Sequence, residues 1–270
     1  VIGSPYGSLS PLTTNPDTGQ PWGADFPAAT VRDTVALHRA LLETLGVRRV
    51  AFAIGGSMGG MQVLEWGWHR DLVQALVPIA VGGRHSAWCI AWSEAQRQAI
   101  YADPNWQGGR YAPERPPAAG LAVARMMAMV SYRSWESFTE RFDREPADPG
   151  SGADYQVESY LRHQGKRLVE RFDANCYVEL TRLMDTHDIA RGRGDYAEAL
   201  GSITQPALVV GITTDVLYPL QEQRELAAGM PNAELALLDA PQGHDAFLIE
   251  QQALAGLVAD WRERVVDPAL

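Results

Sequence analysis

With 270 residues, 46% of them hydrophobic, the chain can bury a sizeable core, as one large domain or a core with an inserted subdomain. Its formal net charge of −10, with acidic and basic residues mixed along the sequence, argues against a nucleic-acid partner, which would call for a basic face. No apolar run approaches the ~18 residues of a membrane span, and Val1-Ile2-Gly3-Ser4-Pro5-Tyr6 lacks the charged and apolar regions of a secretory signal. The expectation is a soluble cytoplasmic protein. Cys89 and Cys176 lie far apart without metal-ligand spacing and read as two buried thiols in a reducing compartment. His and acidic residues form no ligand cluster, so no metal is expected.

Residues 4–30 are rich in Gly, Pro, Ser, Thr and Asn, which predicts a long ordered loop or a linker. Thr30-Val31-Arg32-Asp33 has the form of a capping box and opens a helix that Gly46 ends. The run 48–54 predicts a short buried strand, 57–69 a helix and 75–81 a second strand. From about residue 84 to 200 strand patterns vanish, and helices are predicted over 86–102, 118–132, 134–143, 154–164 and 166–186. The strand–helix rhythm resumes with a strand at 206–212, a helix at 220–229, a strand at 233–238 and a final helix at 245–265. Alternation of this kind predicts a parallel sheet covered on both faces. The expected division is a core in two parts, 1–83 and 201–270, around a helical lid at 84–200.

Gly55-Gly56-Ser57-Met58-Gly59 matches G-x-S-x-G between a predicted strand and a predicted helix. Such a turn lifts a serine hydroxyl clear of the sheet, and the motif calls for glycines at both Gly55 and Gly59 because a Cβ would clash there. It also aims the unpaired N–H groups of a helix start at developing negative charge. A serine hydroxyl needs a base oriented by a carboxylate. In G-x-S-x-G hydrolases the acid and then the histidine follow the serine along the chain. Asp215, just after the strand 206–212, and His244, just after the strand 233–238, fall where parallel sheets place their chemistry. Asp239 is the rival orienter, ranked lower because it stands only five residues before His244. His38 and His69 fall near helix ends, and His85, His163 and His187 in the predicted insertion; all five read as surface or structural.

The segment Ile54-Gly55-Gly56-Ser57-Met58-Gly59-Gly60-Met61-Gln62, followed by Leu64-Glu65-Trp66, resembles the nucleophile segment of the homoserine O-acetyltransferases, acyltransferases of the α/β-hydrolase fold. Further matches are Tyr6-Gly7-Ser8 with Asn15-Pro16-Asp17-Thr18-Gly19, Arg97-Gln98-Ala99-Ile100 with Asp103-Pro104-Asn105-Trp106, Glu158-Ser159-Tyr160-Leu161, Arg171-Phe172-Asp173-Ala174-Asn175 and Gly243-His244-Asp245-Ala246-Phe247-Leu248. The resemblance spans nearly the whole chain. It implies transfer of an acetyl group from acetyl-CoA to the hydroxyl of L-homoserine, a step toward methionine, with no bound cofactor. By the same resemblance Ser57 is the nucleophile, His244 the base, Asp215 its orienter and Met58 N–H half of the oxyanion hole. Arg125 is then the lid arginine for the homoserine carboxylate, and Asp245 the acid for its amine. Guanidinium–carboxylate and carboxylate–ammonium pairing suit those roles. Asp245 is also placed to cap the last helix. A homodimer through the lid is implied by resemblance alone.

The family's sheet has strands before residue 1 of this sequence, and the missing initiator Met agrees with a chain that begins partway. The expectation is therefore a fragment lacking N-terminal strands and the loop that donates the second oxyanion N–H, poorly soluble and weakly active alone. The alternatives are a succinyl-CoA donor, a serine or deacetylcephalosporin acceptor, a serine esterase using water, and an inactive fragment. Trp88 and Trp92, in a segment that lines up with a lid helix, could favour a small acyl group, without fixing selectivity.

Overall fold

The computed structural model describes residues 1–266. In chain order its elements are α1 Val31–Thr44, β1 Ala53–Gly56, α2 Met58–Glu65, β2 Leu76–Ile79, α3 Ala87–Tyr101, α4 Ala118–Ser131, α5 Trp135–Phe142, α6 Gln156–Val169, α7 Ala174–Asp185, α8 Tyr196–Ser202, β3 Ala207–Ile212, α9 Leu220–Gly229, β4 Ala233–Leu238, α10 Ala246–Ile249 and α11 Gln251–Trp261. They cluster into two compact units. One holds residues 1–29, 87–131 and 135–185; the other holds 30–86, 132–134 and 186 onward.

The second unit is built on a parallel sheet in the order β1-β2-β3-β4. Val, Ile and Leu fill β2 and β3, every residue of which is buried, as expected for central strands covered on both faces. Val77, Ile79, Leu208, Val210 and Ile212 form one core with Leu238 and Trp261. The outer strands of these four are less covered: Ile54 on β1 and Leu237 on β4 are largely exposed. Pairing of the segment 48–54 is confined to one bridge, Val50 to Val73, before the ladder begins at Ala53, so β1 starts later than the apolar run predicts. The Thr30–Asp33 capping box forms as predicted: Asp33 N–H donates to Thr30 Oγ1 at 3.2 Å, and Thr30 N–H to Asp33 Oδ2 at 2.8 Å.

Residues 186–200, predicted as the end of the helical stretch, cluster with the sheet. Arg193 holds them there, pairing with buried Glu65 at 2.6 Å and stacking over Trp68 at 3.5 Å; Glu65 also takes Arg32 at 3.2 Å. The segment carries α8, capped by Asp195 on Ala197 N–H, which the pattern did not predict. His85 and His187 consequently belong to the sheet unit and not to the helical one.

The other unit packs α4 against α3 and α6 around Ile100, Leu121, Ala124, Leu168 and Val178. The helix predicted over 166–186 is instead interrupted between α6 and α7, because Asp173 turns its carboxylate to Cys176 N–H at 3.0 Å and Tyr111 OH at 2.6 Å. The loop before α1 is ordered by its own turns: Asp17 N–H donates to Asn15 Oδ1 at 2.9 Å and Asn15 N–H to Gln20 O at 2.7 Å. The predicted final helix is also broken, at Glu250, whose φ of −88° and ψ of 49° separate α10 from α11. Among the described residues no helix is long and apolar enough to cross a membrane, and no group of His, Cys, Asp and Glu could hold a metal ion.

Candidate active site

Ser57 occupies the hinge between β1 and α2 with φ 55° and ψ −122°, a left-handed backbone that a residue with a Cβ adopts only under strain. Two bonds hold it there: Ser57 N–H donates to Ile79 O at 2.9 Å, and Met61 N–H to Ser57 O at 3.1 Å. Gly55 is required because a Cβ there would stand 2.6 Å from the Gly59 carbonyl carbon. The expected clash at Gly59 does not exist, since a Cβ at Gly59 would meet open space; it is the Gly59 backbone that crowds Gly55. Met58 opens α2, so its N–H has no carbonyl one turn earlier within the helix and is available to an anion beside Ser57.

Asp215 and His244 come from the loops after β3 and β4 and meet at 2.7 Å, Asp215 Oδ2 to His244 Nδ1, both side chains almost completely buried. The other carboxylate oxygen, Oδ1, accepts the N–H groups of Leu217 at 2.8 Å and Tyr218 at 2.9 Å. A carboxylate so held can only accept, so Nδ1 carries the imidazole proton and Nε2 presents its lone pair. That Nε2 is buried and has no hydrogen-bond partner in the structure. Asp239, the rival orienter, is exposed and takes Thr213 Oγ1 at 2.8 Å instead.

Three aromatic rings surround the imidazole. Tyr218 is tilted to it, centroids 5.3 Å apart and planes 30° apart; Phe247 meets it edge-on at 5.6 Å; Tyr132 is tilted at 6.0 Å and 39°. Phe247 also packs on the Ser57 hinge, since a Cβ on Gly56 would reach its ring at 2.5 Å. Tyr132, Arg133 and Ser134 grip the histidine loop: Asp245 N–H donates to Tyr132 O at 3.1 Å, Arg133 Nε lies 3.3 Å from Asp245 Oδ2, and Ser134 Oγ donates to Pro241 O. Asp245 therefore faces a guanidinium, and its side chain makes no capping bond to α10, contrary to the capping role its position predicts. Arg125 is half-buried on α4, in the helical unit.

The sequence reading missed Tyr218, Tyr132 and Arg133. Tyr218 stands three residues past Asp215, a tight loop spacing that could have flagged it. Tyr132 and Arg133 carried no signal beyond the break between two helical patterns. Three other histidines stand apart from this pair. His69 Nδ1 lies 2.7 Å from Arg39, His187 Nε2 donates to Gly82 O at 3.0 Å, and His163 is exposed on α6. Burial pushes the His187 imidazole down to about 4 and the Cys176 thiol up to about 12, so neither is poised for acid–base or thiolate chemistry near neutral pH.

Residues 11–251 match the family model described as alpha/beta hydrolase fold. The chain is 63% identical over 270 residues to the homoserine O-acetyltransferase of Salinibacter ruber, covering 98% of this chain and 77% of that protein. The crystal structure of homoserine O-acetyltransferase from Staphylococcus aureus superposes with a TM-score of 0.77 at 31% identity, covering 100% of this chain and 74% of that one. That of esterase E22 superposes with a TM-score of 0.83 at 28% identity, covering 92% of this chain and 71% of that one.

Proposed function

The chain belongs to the homoserine O-acetyltransferase family of α/β-hydrolase-fold acyltransferases, and from that premise we propose that it moves an acetyl group from acetyl-CoA to the hydroxyl of L-homoserine through an acetyl-Ser57 intermediate. The observation that carries the mechanism is the buried Asp215–His244 pair with its unpartnered Nε2, behind a strained serine hinge. Donor and acceptor rest on the likeness to the Salinibacter ruber protein.

In the first half-reaction Ser57 Oγ attacks the thioester carbonyl while His244 Nε2 takes the hydroxyl proton. The oxyanion that forms is met by Met58 N–H, a fixed dipole that needs no reorganisation. Collapse breaks the C–S bond, and the proton on Nε2 leaves with CoA as its thiol. In the second half-reaction the homoserine hydroxyl gives its proton to Nε2 and attacks the acetyl ester; collapse returns that proton to Ser57 and releases O-acetylhomoserine. Asp215 keeps Nδ1 protonated throughout and stabilises the transient imidazolium. Arg125 takes the homoserine carboxylate and Asp245 its ammonium group. The product is an activated homoserine on the way to methionine.

The likeness to an esterase favours one second reading, in which water replaces homoserine. Acetyl-CoA turnover followed as free thiol separates the two. Thiol release at least tenfold faster with homoserine than with water alone supports the transferase. Equal rates would leave an esterase.

A further inference from the structure

The Asp215–His244 bond fixes one nitrogen of the imidazole, but a ring held at one point can still tilt about that bond. Tilt matters because Nε2 has to face Ser57 in one half-reaction and the hydroxyl of the second substrate in the other. The ring of Tyr218, tilted 30° from the imidazole with centroids 5.3 Å apart, packs beside it and restricts that tilt. Tyr218 is in turn held at both ends. Its backbone N–H is bound to Asp215, and its hydroxyl lies 3.0 Å from Nδ1 of His85, in a setting where both side chains are buried. His85 is itself anchored, its N–H donating to His187 O at 2.8 Å within a short antiparallel contact that also pairs Arg84 with Asp188.

We propose that Tyr218 and His85 act as one unit that sets the plane of the His244 imidazole, Tyr218 bearing on the ring and His85 fixing Tyr218 through its hydroxyl. Both are positioning residues. The proposal rests on the reading of His244 as the base. A hydrogen bond between two buried neutral rings at 3.0 Å can be made whichever of the two supplies the proton, so the anchor survives either tautomer of His85. What it cannot survive is loss of the tyrosine hydroxyl or of the imidazole. The same chain of contacts ties the loop after β2, which carries His85, to the loops after β3 and β4. Three strand ends are thus linked through His85, Tyr218, Asp215 and His244, the step from Tyr218 to Asp215 running through the Tyr218 backbone N–H.

The test uses the purified protein with Tyr218→Phe, His85→Leu, His85→Gln and the Tyr218→Phe/His85→Leu double variant. Tyr218→Phe keeps the ring and removes only the hydroxyl, so the fold is retained even where His85→Leu disturbs it. Tyr218→Phe and His85→Leu should each lower kcat roughly tenfold with KM for both substrates changed less than about twofold. The double variant should be no worse than the poorer single one, as for residues acting as a unit. His85→Gln, which can still meet the hydroxyl, should recover most of the loss. The low-field proton resonance of the Asp215–His244 bond should broaden or move in Tyr218→Phe, a response that a purely structural contact would not give. Wild-type kcat with an unmoved resonance in Tyr218→Phe, or losses that multiply in the double variant, would overturn the inference alone. Thiol release that persists in Ser57→Ala would overturn the proposed function, and this inference with it.

Discussion

Phe247 is wedged between Gly56 and His244: a Cβ on Gly56 would stand 2.5 Å from its ring, and the same ring meets the imidazole edge-on with centroids 5.6 Å apart. The serine hinge and the histidine loop are therefore not independent. They share one aromatic side chain, and displacing it moves both.

Gly56→Ala should act through that ring. The added methyl overlaps Phe247 and forces it toward the imidazole, at a cost of about 1–3 kcal/mol in stability, as for other overpacked sites. The misplaced imidazole should lower thiol release from acetyl-CoA by about 10²-fold. Urea unfolding and a thiol assay on Gly56→Ala read both effects. Pairing it with Phe247→Leu should restore most of the stability; if it does not, the overlap is not the cause.

Ser57 stores backbone strain, and its removal should be visible as stability. A non-glycine residue at φ 55° and ψ −122° carries on the order of 1–3 kcal/mol of strain. Glycine relieves it but loses ~0.5–1 kcal/mol to the greater freedom of the unfolded chain. Ser57→Gly should therefore be more stable than the parent by about 1 kcal/mol while losing acyl transfer. Ser57→Ala should lose the activity without that gain, since it keeps the Cβ. Urea midpoints of the three proteins make the comparison, and a Ser57→Gly protein no more stable than Ser57→Ala would remove strain from the account.

Asp215→Asn should leave the fold in place and remove the base. The remaining oxygen can still accept Leu217 N–H and Tyr218 N–H, but an amide N–H turned to His244 favours the tautomer with the proton on Nε2, which cannot accept from Ser57. A fall in kcat of about 10⁴ is expected, with circular dichroism unchanged. A fall under tenfold would point to another acid.

The sheet and the Asp215–His244 pair were legible because each is written locally. A short apolar run bounded by turn residues reads as a strand, and 206–212 and 233–238 appear almost residue for residue as β3 and β4. The glycine hinge, Asp215 and His244 follow from the same rhythm of strand and loop. Boundaries set by side chains far apart in sequence were not legible. Nothing near residue 193 announces that Arg193 will pair with Glu65 and draw 186–200 to the sheet. Asp245, read as a helix cap from its position, is turned away by Arg133, over a hundred residues earlier. Tyr218 was passed over because an aromatic residue in a short loop has no periodicity to read.

His187 should make the protein acid-sensitive in a window set by its own titration. It is fully buried, Nε2–H is bound to Gly82 O, and Nδ1 has no hydrogen-bond partner, so a second proton would be stranded without an acceptor. Burial holds its pKa at about 4 in the folded protein, against 6.5 for a solvated histidine side chain. Between those values the unfolded chain binds a proton that the folded chain refuses, so stability falls as pH is lowered from about 6.5 to about 4 and levels off below. The full effect is on the order of 3 kcal/mol. Half-buried Glu222, Glu179 and Asp185 have pKa values raised chiefly by desolvation and contribute with the opposite sign. A single pH profile therefore mixes the two, and the difference between parent and His187→Gln isolates the histidine. Glutamine can keep the bond to Gly82 O and cannot titrate. Urea unfolding of both proteins from pH 7 to pH 4 should show the parent losing about 3 kcal/mol relative to the variant; parallel profiles would mean that His187 is protonated in the folded state at little cost.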